Sequence, residues 1–183
     1  MQKVDLSSYR NPEYDPGASL IKRVVWISIS WFFFQSYLFP VSSAKRFMLR
    51  LFGAKVGRKV VIKPAVLIKH PWFLTVGDNT WIGERVWIDN LVSVEIGDNV
   101  CISQGAMLLT GNHDYKSPQF DLITKPIKIQ SGAWLGAKSV VCPGVDCGFQ
   151  SVLSVGSVAT RSLDANQVYS GNPASRVRER VIT

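Results

Sequence analysis

An aliphatic side chain, once replaced by cysteine, recurs at every sixth position through much of this chain. The series runs Val56, Ile62, Ile68, then Val76, Ile82, Ile88, then Ile96, Ile102, Leu108, and after a gap Ile129, Leu135, Val141, Cys147, Leu153. Two extra residues stand before Val76 and before Ile96, and Val76-Gly77-Asp78-Asn79 returns twenty residues later as Ile96-Gly97-Asp98-Asn99. A six-residue beat fits neither the 3.6 period of a helix nor the alternation of a hairpin strand. It fits a two-residue strand followed by a tight corner. Glycine often takes the second position (Gly57, Gly77, Gly83, Gly97, Gly136, Gly148), and a small residue or valine the fifth (Val60, Thr80, Ala106, Ser139, Ser157). Three units close a triangular coil of eighteen or twenty residues, and stacked coils bury one another's aliphatic rows. The expected fold is an all-β solenoid, a parallel β-helix.

The beat divides the chain into a helical, basic and aromatic appendage over 1–53, the solenoid over 54–170 and a C-terminal tail over 171–183. In Leu20–Phe39, Leu20, Val24, Ile27, Trp31, Phe34 and Leu38 fall on one helical stripe, and Val25, Ile29, Phe32 and Phe33 cover much of the rest. A helix apolar nearly all round must be buried, in protein or in lipid. The run from Val24 to Phe39 is short of the ~20 residues a span needs, and Pro40 stops it. A second helix is predicted over 43–52, with Ser42 or Ser43 as its N-cap and Gly53 ending it. Two uses remain open: the helices cover the first coil, or they lie in a membrane surface with Lys22, Arg23, Lys45, Arg46 and Arg50 at the headgroups, making peripheral contact through residues 20–50.

The net charge of +8 sharpens this picture because it is uneven. Residues 1–70 hold twelve Lys/Arg against three Asp/Glu, and the remainder nine against ten. Basic residues interleaved with aromatics on the repeat face are missing, so a nucleic-acid partner is not expected. The three cysteines lack disulfide or zinc spacing, and the polar first twenty residues do not read as a secretion signal. The expected compartment is the cytoplasm, at the inner face of its membrane if the appendage binds lipid.

The beat is lost between Leu108 and Ile129, which are separated by about thirteen residues more than a coil requires. A protruding loop is therefore predicted at about 109–128, and long loops in compact repeat proteins tend to carry function. This one holds His113, and a histidine imidazole can take a proton from a hydroxyl as that oxygen attacks a carbonyl. Beside it stand Asn112, Asp114 and Tyr115, with Asp114 a candidate to orient the imidazole. Asp89 and Asn90 interrupt a coil one turn below and offer hydrogen bonds to an acceptor. A solvated corner explains Asp89 and Asn90 equally well, and His70 is read as structural.

Taken in order, Thr110-Gly111-Asn112-His113, Lys125-Pro126-Ile127, Trp134-Leu135-Gly136, Pro143-Gly144-Val145, Gly156-Ser157-Val158-Ala159-Thr160-Arg161 and Gly171-Asn172-Pro173-Ala174 resemble the hexapeptide-repeat acyltransferases over residues 53–178. The similarity is greatest to maltose and galactoside O-acetyltransferases and to acetyltransferases of colanic-acid and exopolysaccharide biosynthesis. The resemblance implies left-handed coils, against the usual right-handed crossover. It implies acetyl transfer from acetyl-CoA to a sugar hydroxyl of an exopolysaccharide or lipid-linked glycan precursor. In that reading His113 is the general base and the Ala137 backbone N–H the oxyanion donor, with direct attack and no metal. Trp134, Ala137, Val155, Thr160, Arg161 and Arg178 would hold the coenzyme. Val155 is larger than the usual alanine, and Arg161 replaces the usual lysine. A homotrimer with sites between neighbours is also implied.

Rival readings differ in what they require. A γ-type carbonic anhydrase needs three histidines on one zinc, and the chain has two. An N-acyltransferase acting on an amino sugar or amino acid shares the coil motifs. A noncatalytic β-helix scaffold would bind no acetyl-CoA.

Overall fold

A computed structural model describes residues 3–183. Helix α1 (Leu20–Ile29) runs into a wider π-helical turn over Ser30–Gln35, and helix α2 (Ser42–Leu51) leads into the solenoid. Strands of two or three residues then build three parallel sheets, one for each face of a triangular coil. Registers follow the sequence beat. Val56 pairs with Val76 and Val76 with Ile96, twenty residues on, Ile96 pairs with Ile129 across the loop, and Ile129 pairs with Cys147 at eighteen. The beat residues and the small fifth-position residues are all buried, in one core from Trp26 to Tyr169.

Glycine at the second position answers a close approach between coils. A side-chain carbon on Gly77 would sit 2.6 Å from the Gly97 carbonyl carbon, and one on Gly136 would sit 2.5 Å from Val155 N. The coils touch backbone to backbone there. Where a corner turns left-handed, the fourth residue of the unit does so: Asn79 at φ 57°, Asn99 at 55°, Lys138 at 56°. Asparagine tolerates that region well, which accounts for the Gly-Asp-Asn echo.

The appendage covers the first coil. Trp26 and Phe34 are buried with their rings 5.3 Å apart, and Trp26 packs on Phe52 at 5.2 Å. The side chains facing the solenoid are thus Trp26, Ser30 and Phe34, four residues apart. The stripe expected from sequence is mostly outside: Leu20, Val24, Ile27, Trp31 and Leu38 are exposed, and only Phe34 of that set is buried. A helix apolar on many sides gives periodicity little to choose with, and the decisive interactions are polar.

The first coil has no coil below it, so its outward carbonyls need donors. Trp26 Nε1 donates to Ile68 O (2.9 Å), Arg46 to Val60 O (2.7 Å) and Arg50 to Val56 O (2.7 and 2.9 Å). Lys45 Nζ donates to Lys63 O (3.0 Å) and Ile62 O (3.4 Å). Lys45 is fully buried, and burial lowers its ammonium to about 8. Three cations expected at lipid headgroups are therefore engaged by the backbone. Ser42 exchanges hydrogen bonds with Ile62, so it does not cap α2; the residue before the helix is Val41 and supplies no side-chain cap.

Two segments outside the regular coils carry strands of their own. The loop at 109–128 contains an antiparallel hairpin, Gly111–His113 against Leu122–Thr124. The segment expected as a tail from 171 is a strand, Ala174–Glu179, folded back on Gln167–Gly171 at the sheet edge. Among the described residues no helix is long and apolar enough to cross a membrane.

Candidate functional site

The hairpin places His113 at the rim of a cavity of about 520 Å³. Its Nδ1 lies 2.8 Å from the Phe120 carbonyl oxygen. A carbonyl only accepts, so Nδ1 carries the proton and the neutral ring keeps its lone pair on Nε2. The ring stacks on Phe120 (centroids 4.4 Å apart, planes 8° apart), with Tyr9 at 5.8 Å on a tilted approach. Asp114, the sequence candidate for orienting this ring, turns away and accepts from Lys116 N at 2.9 Å. The orienting group is a main-chain carbonyl, which has no residue signature.

The cavity floor joins two coil corners, with His70 and Lys69 on one and Asp89 on the next. Lys69 Nζ meets Asp89 Oδ1 at 2.9 Å as an ion pair, without the alignment of a hydrogen bond. Tyr14 lies 3.3 Å from His70 Nδ1. Burial, reinforced by nearby Asp89, raises the Tyr14 phenol to about 12, so its hydroxyl keeps its proton. Burial, with Lys69 adding to it, lowers the His70 imidazole to about 4.

Sequence reasoning missed much of this lining. Tyr9, Asn11, Tyr14 and Arg23 come from the appendage, outside the repeat where periodicity carries information. Asp5 N donates to Pro118 O at 2.9 Å and ties that segment to the hairpin. Asn90 does not join the cavity. It is wholly buried, accepting from His70 N (2.9 Å) and donating to His70 O (2.6 Å). Thr110 is buried too, donating to Asp89 O and accepting from Leu91 N. Asn112 binds its own neighbour's amide, and Tyr115 is 73% exposed; neither lines the cavity.

His70 makes stability pH-dependent. Its folded value is depressed, so between about 6.5 and about 4 the unfolded chain binds a proton that the folded one refuses. Stability therefore falls as pH drops through that window, by at most about 3 kcal/mol. We expect His70→Gln to flatten this slope in urea titrations at pH 7 and pH 4.5. An unchanged slope would assign acid lability elsewhere.

A second groove, of about 660 Å³ and mostly apolar, lies on another face. It brings together Trp134, Ala137, Val155 and Arg178 from the sequence candidates, and adds Ser103, Gln104, Arg180 and Val181. Trp134 Nε1 donates to Ser103 Oγ at 2.9 Å, holding the indole along the stacked coils. Thr160 and Arg161 are exposed at a neighbouring corner and do not line it. The added residues come from the stretch just after the folded-back strand, Arg180 and Val181, and from the coil stacked below Trp134, Ser103 and Gln104. The groove and the His113 cavity share no lining residue within one chain. Burial raises the Cys147 thiol to about 12, so it is not poised as a nucleophile. Among the described residues no group of three or more His, Cys, Asp or Glu is placed to hold a metal ion.

The chain is 40% identical over 179 residues to WcaF of Escherichia coli K12, assigned as a colanic acid biosynthesis acetyltransferase, covering 98% of both chains. The chain belongs to the hexapeptide-repeat acetyltransferases. This acetyltransferase is also 31% identical over 129 residues to the galactoside O-acetyltransferase of E. coli K12, covering 69% of its own length and 64% of the relative's. It superposes on the hexapeptide-repeat acetyltransferase VCA0836 of Vibrio cholerae with a TM-score of 0.79 at 25% identity, covering 89% and 94% of the two chains. On a galactoside acetyltransferase solved with coenzyme A the TM-score is 0.76 at 27% identity, covering 87% and 80%. The acetyltransferase thus has the left-handed parallel β-helix of its family. No protein-family model matches the chain.

Proposed function

We propose that this acetyltransferase moves an acetyl group from acetyl-CoA to a sugar hydroxyl of an exopolysaccharide or lipid-linked glycan precursor. The observation that carries the reading is the His113 imidazole, fixed with a free Nε2 at the rim of a cavity lined by Asp89, Lys69, Tyr14 and Asn11. Those groups match the donors and acceptors of a sugar. The relationship to WcaF and to the galactoside enzyme supports the acceptor class.

In the proposed reaction Nε2 takes the hydroxyl proton as the sugar oxygen attacks the thioester carbonyl carbon. The Ala137 N–H donates to the developing oxyanion. The tetrahedral intermediate collapses with cleavage of the C–S bond, and the imidazolium returns its proton to the leaving thiolate. No acyl-enzyme forms. The pantetheine arm lies in the groove against Trp134 and Val155, and Arg178, with exposed Arg161 and Thr160 nearby, meets the phosphates. Asn112, Asp114 and Tyr115 act indirectly in this scheme, by shaping the hairpin.

Because the His113 cavity and the donor groove lie on different faces, one chain alone does not oppose base and thioester. A homotrimer with parallel solenoids, in which a neighbour's groove faces each His113, completes the site and agrees with the family resemblance. The test is CoA release from acetyl-CoA with a panel of free and lipid-linked saccharides. Saccharide-dependent release is expected. Release only with amino sugars or amino acids would favour N-acylation, and absence of CoA binding by calorimetry would leave a scaffold.

A further inference from the structure

The outer side of the helical cap is an apolar surface that the solenoid does not use. Ile27 (65% exposed) and Trp31 (70%) stand out from α1 and the turn after it, Leu38 (84%) from the segment that follows, and Phe47 and Leu51 from α2. Each helix fastens its other side to the first coil, α1 through Trp26 to Ile68 O and α2 through Lys45, Arg46 and Arg50. Both outer sides therefore face away from the same end of the rod. Phe32, Phe33 and Phe39 cluster beside them with centroids 4.6–5.8 Å apart. Exposed apolar surface on this scale marks an interaction site.

Charge selects the partner. Residues 16–77 contain ten Lys/Arg and no Asp or Glu. Lys45, Arg46 and Arg50 are engaged by carbonyls, but Lys55, Lys59 and Lys63 are exposed on the first coil, and none of them is in an ion pair among the described residues. A second copy would bring an equally cationic surface to the contact and be repelled. An anionic lipid leaflet offers acyl chains to the aromatics and phosphates to the lysines, the composition that suits a helix lying in the interfacial plane.

We propose that the outer side of the helical cap docks on an anionic membrane surface, with Trp31 and Leu38 inserting and Lys55, Lys59 and Lys63 at the headgroups. The contact is peripheral, and the His113 cavity, lined in part by Tyr9, Tyr14 and Arg23 of the same appendage, is held close to the bilayer.

The full-length protein is sedimented with vesicles of phosphatidylcholine alone and of equimolar phosphatidylcholine and phosphatidylglycerol. Binding to the anionic vesicles is expected, weakened by salt, and lowered at least about tenfold in the double variant Trp31→Ser, Leu38→Ser. Both residues are exposed and outside the cavity and groove, so circular dichroism and CoA binding serve as controls for the fold. The proposal is overturned if wild type stays in the supernatant with anionic vesicles, or if the variant pellets equally. It is overturned too if the variant loses oligomer mass in light scattering, because a second copy then covers the surface. Vesicle binding needs no turnover, so its failure is separate from failure of acetyl transfer.

Discussion

Replacing His113 with alanine lowers kcat by about 10²–10⁴-fold, the usual contribution of a general base, while the melting profile stays near wild type. The second half follows from where the residue sits. His113 belongs to a two-stranded hairpin outside the coil stack, its ring resting on Phe120 and its Nδ1 on the Phe120 carbonyl. Removing it deletes one hydrogen bond at a half-buried rim and no core packing. Acetyl transfer from acetyl-CoA to a saccharide, followed by CoA release, reads the first half, and a thermal melt the second. Turnover within a few-fold of wild type would remove His113 from the chemistry.

Trp26→Ala has the largest expected effect on stability, about 3–5 kcal/mol as for other buried tryptophans. The indole fills the space between Phe34, Phe52 and the first coil, and its N–H satisfies Ile68 O. Trp26→Phe separates the two roles by keeping a ring and losing the donor, and should cost about 1 kcal/mol more than the lost volume alone. Urea denaturation of both variants measures this. A loss under about 1 kcal/mol for Trp26→Ala would mean that the appendage is not coupled to the solenoid core.

The fold was legible because one physical rule is applied many times. Each coil must bury an aliphatic at the same place as the coil below, so the beat from Val56 to Leu153 survives in sequence, as does the excursion that carries His113. The rest depends on groups without such a rule. The partner that fixes the imidazole is the carbonyl of Phe120, which any residue type would supply. Asn90 was a reasonable sugar ligand as a polar residue at a corner, but the same polarity lets it bind both backbone groups of His70. The cavity wall from Tyr9 to Arg23 precedes the repeat, where no periodicity marks it. In the appendage, cations next to aromatics are ambiguous from sequence: Lys45, Arg46 and Arg50 turn to the coil edge, leaving the exposed charge to Lys55, Lys59 and Lys63.

That collar of donors on the first coil has a consequence for how the molecule behaves among copies of itself. A stack of parallel rungs is a template, and a bare lowest rung would accept the last rung of another molecule, repeating without limit into a filament. With the carbonyls of Val56, Val60, Ile62, Lys63 and Ile68 already occupied, the rod is terminated at this end. Trimming the first fifty residues would therefore reopen a growing edge, and fibrous assembly is the behaviour to look for in such a truncation.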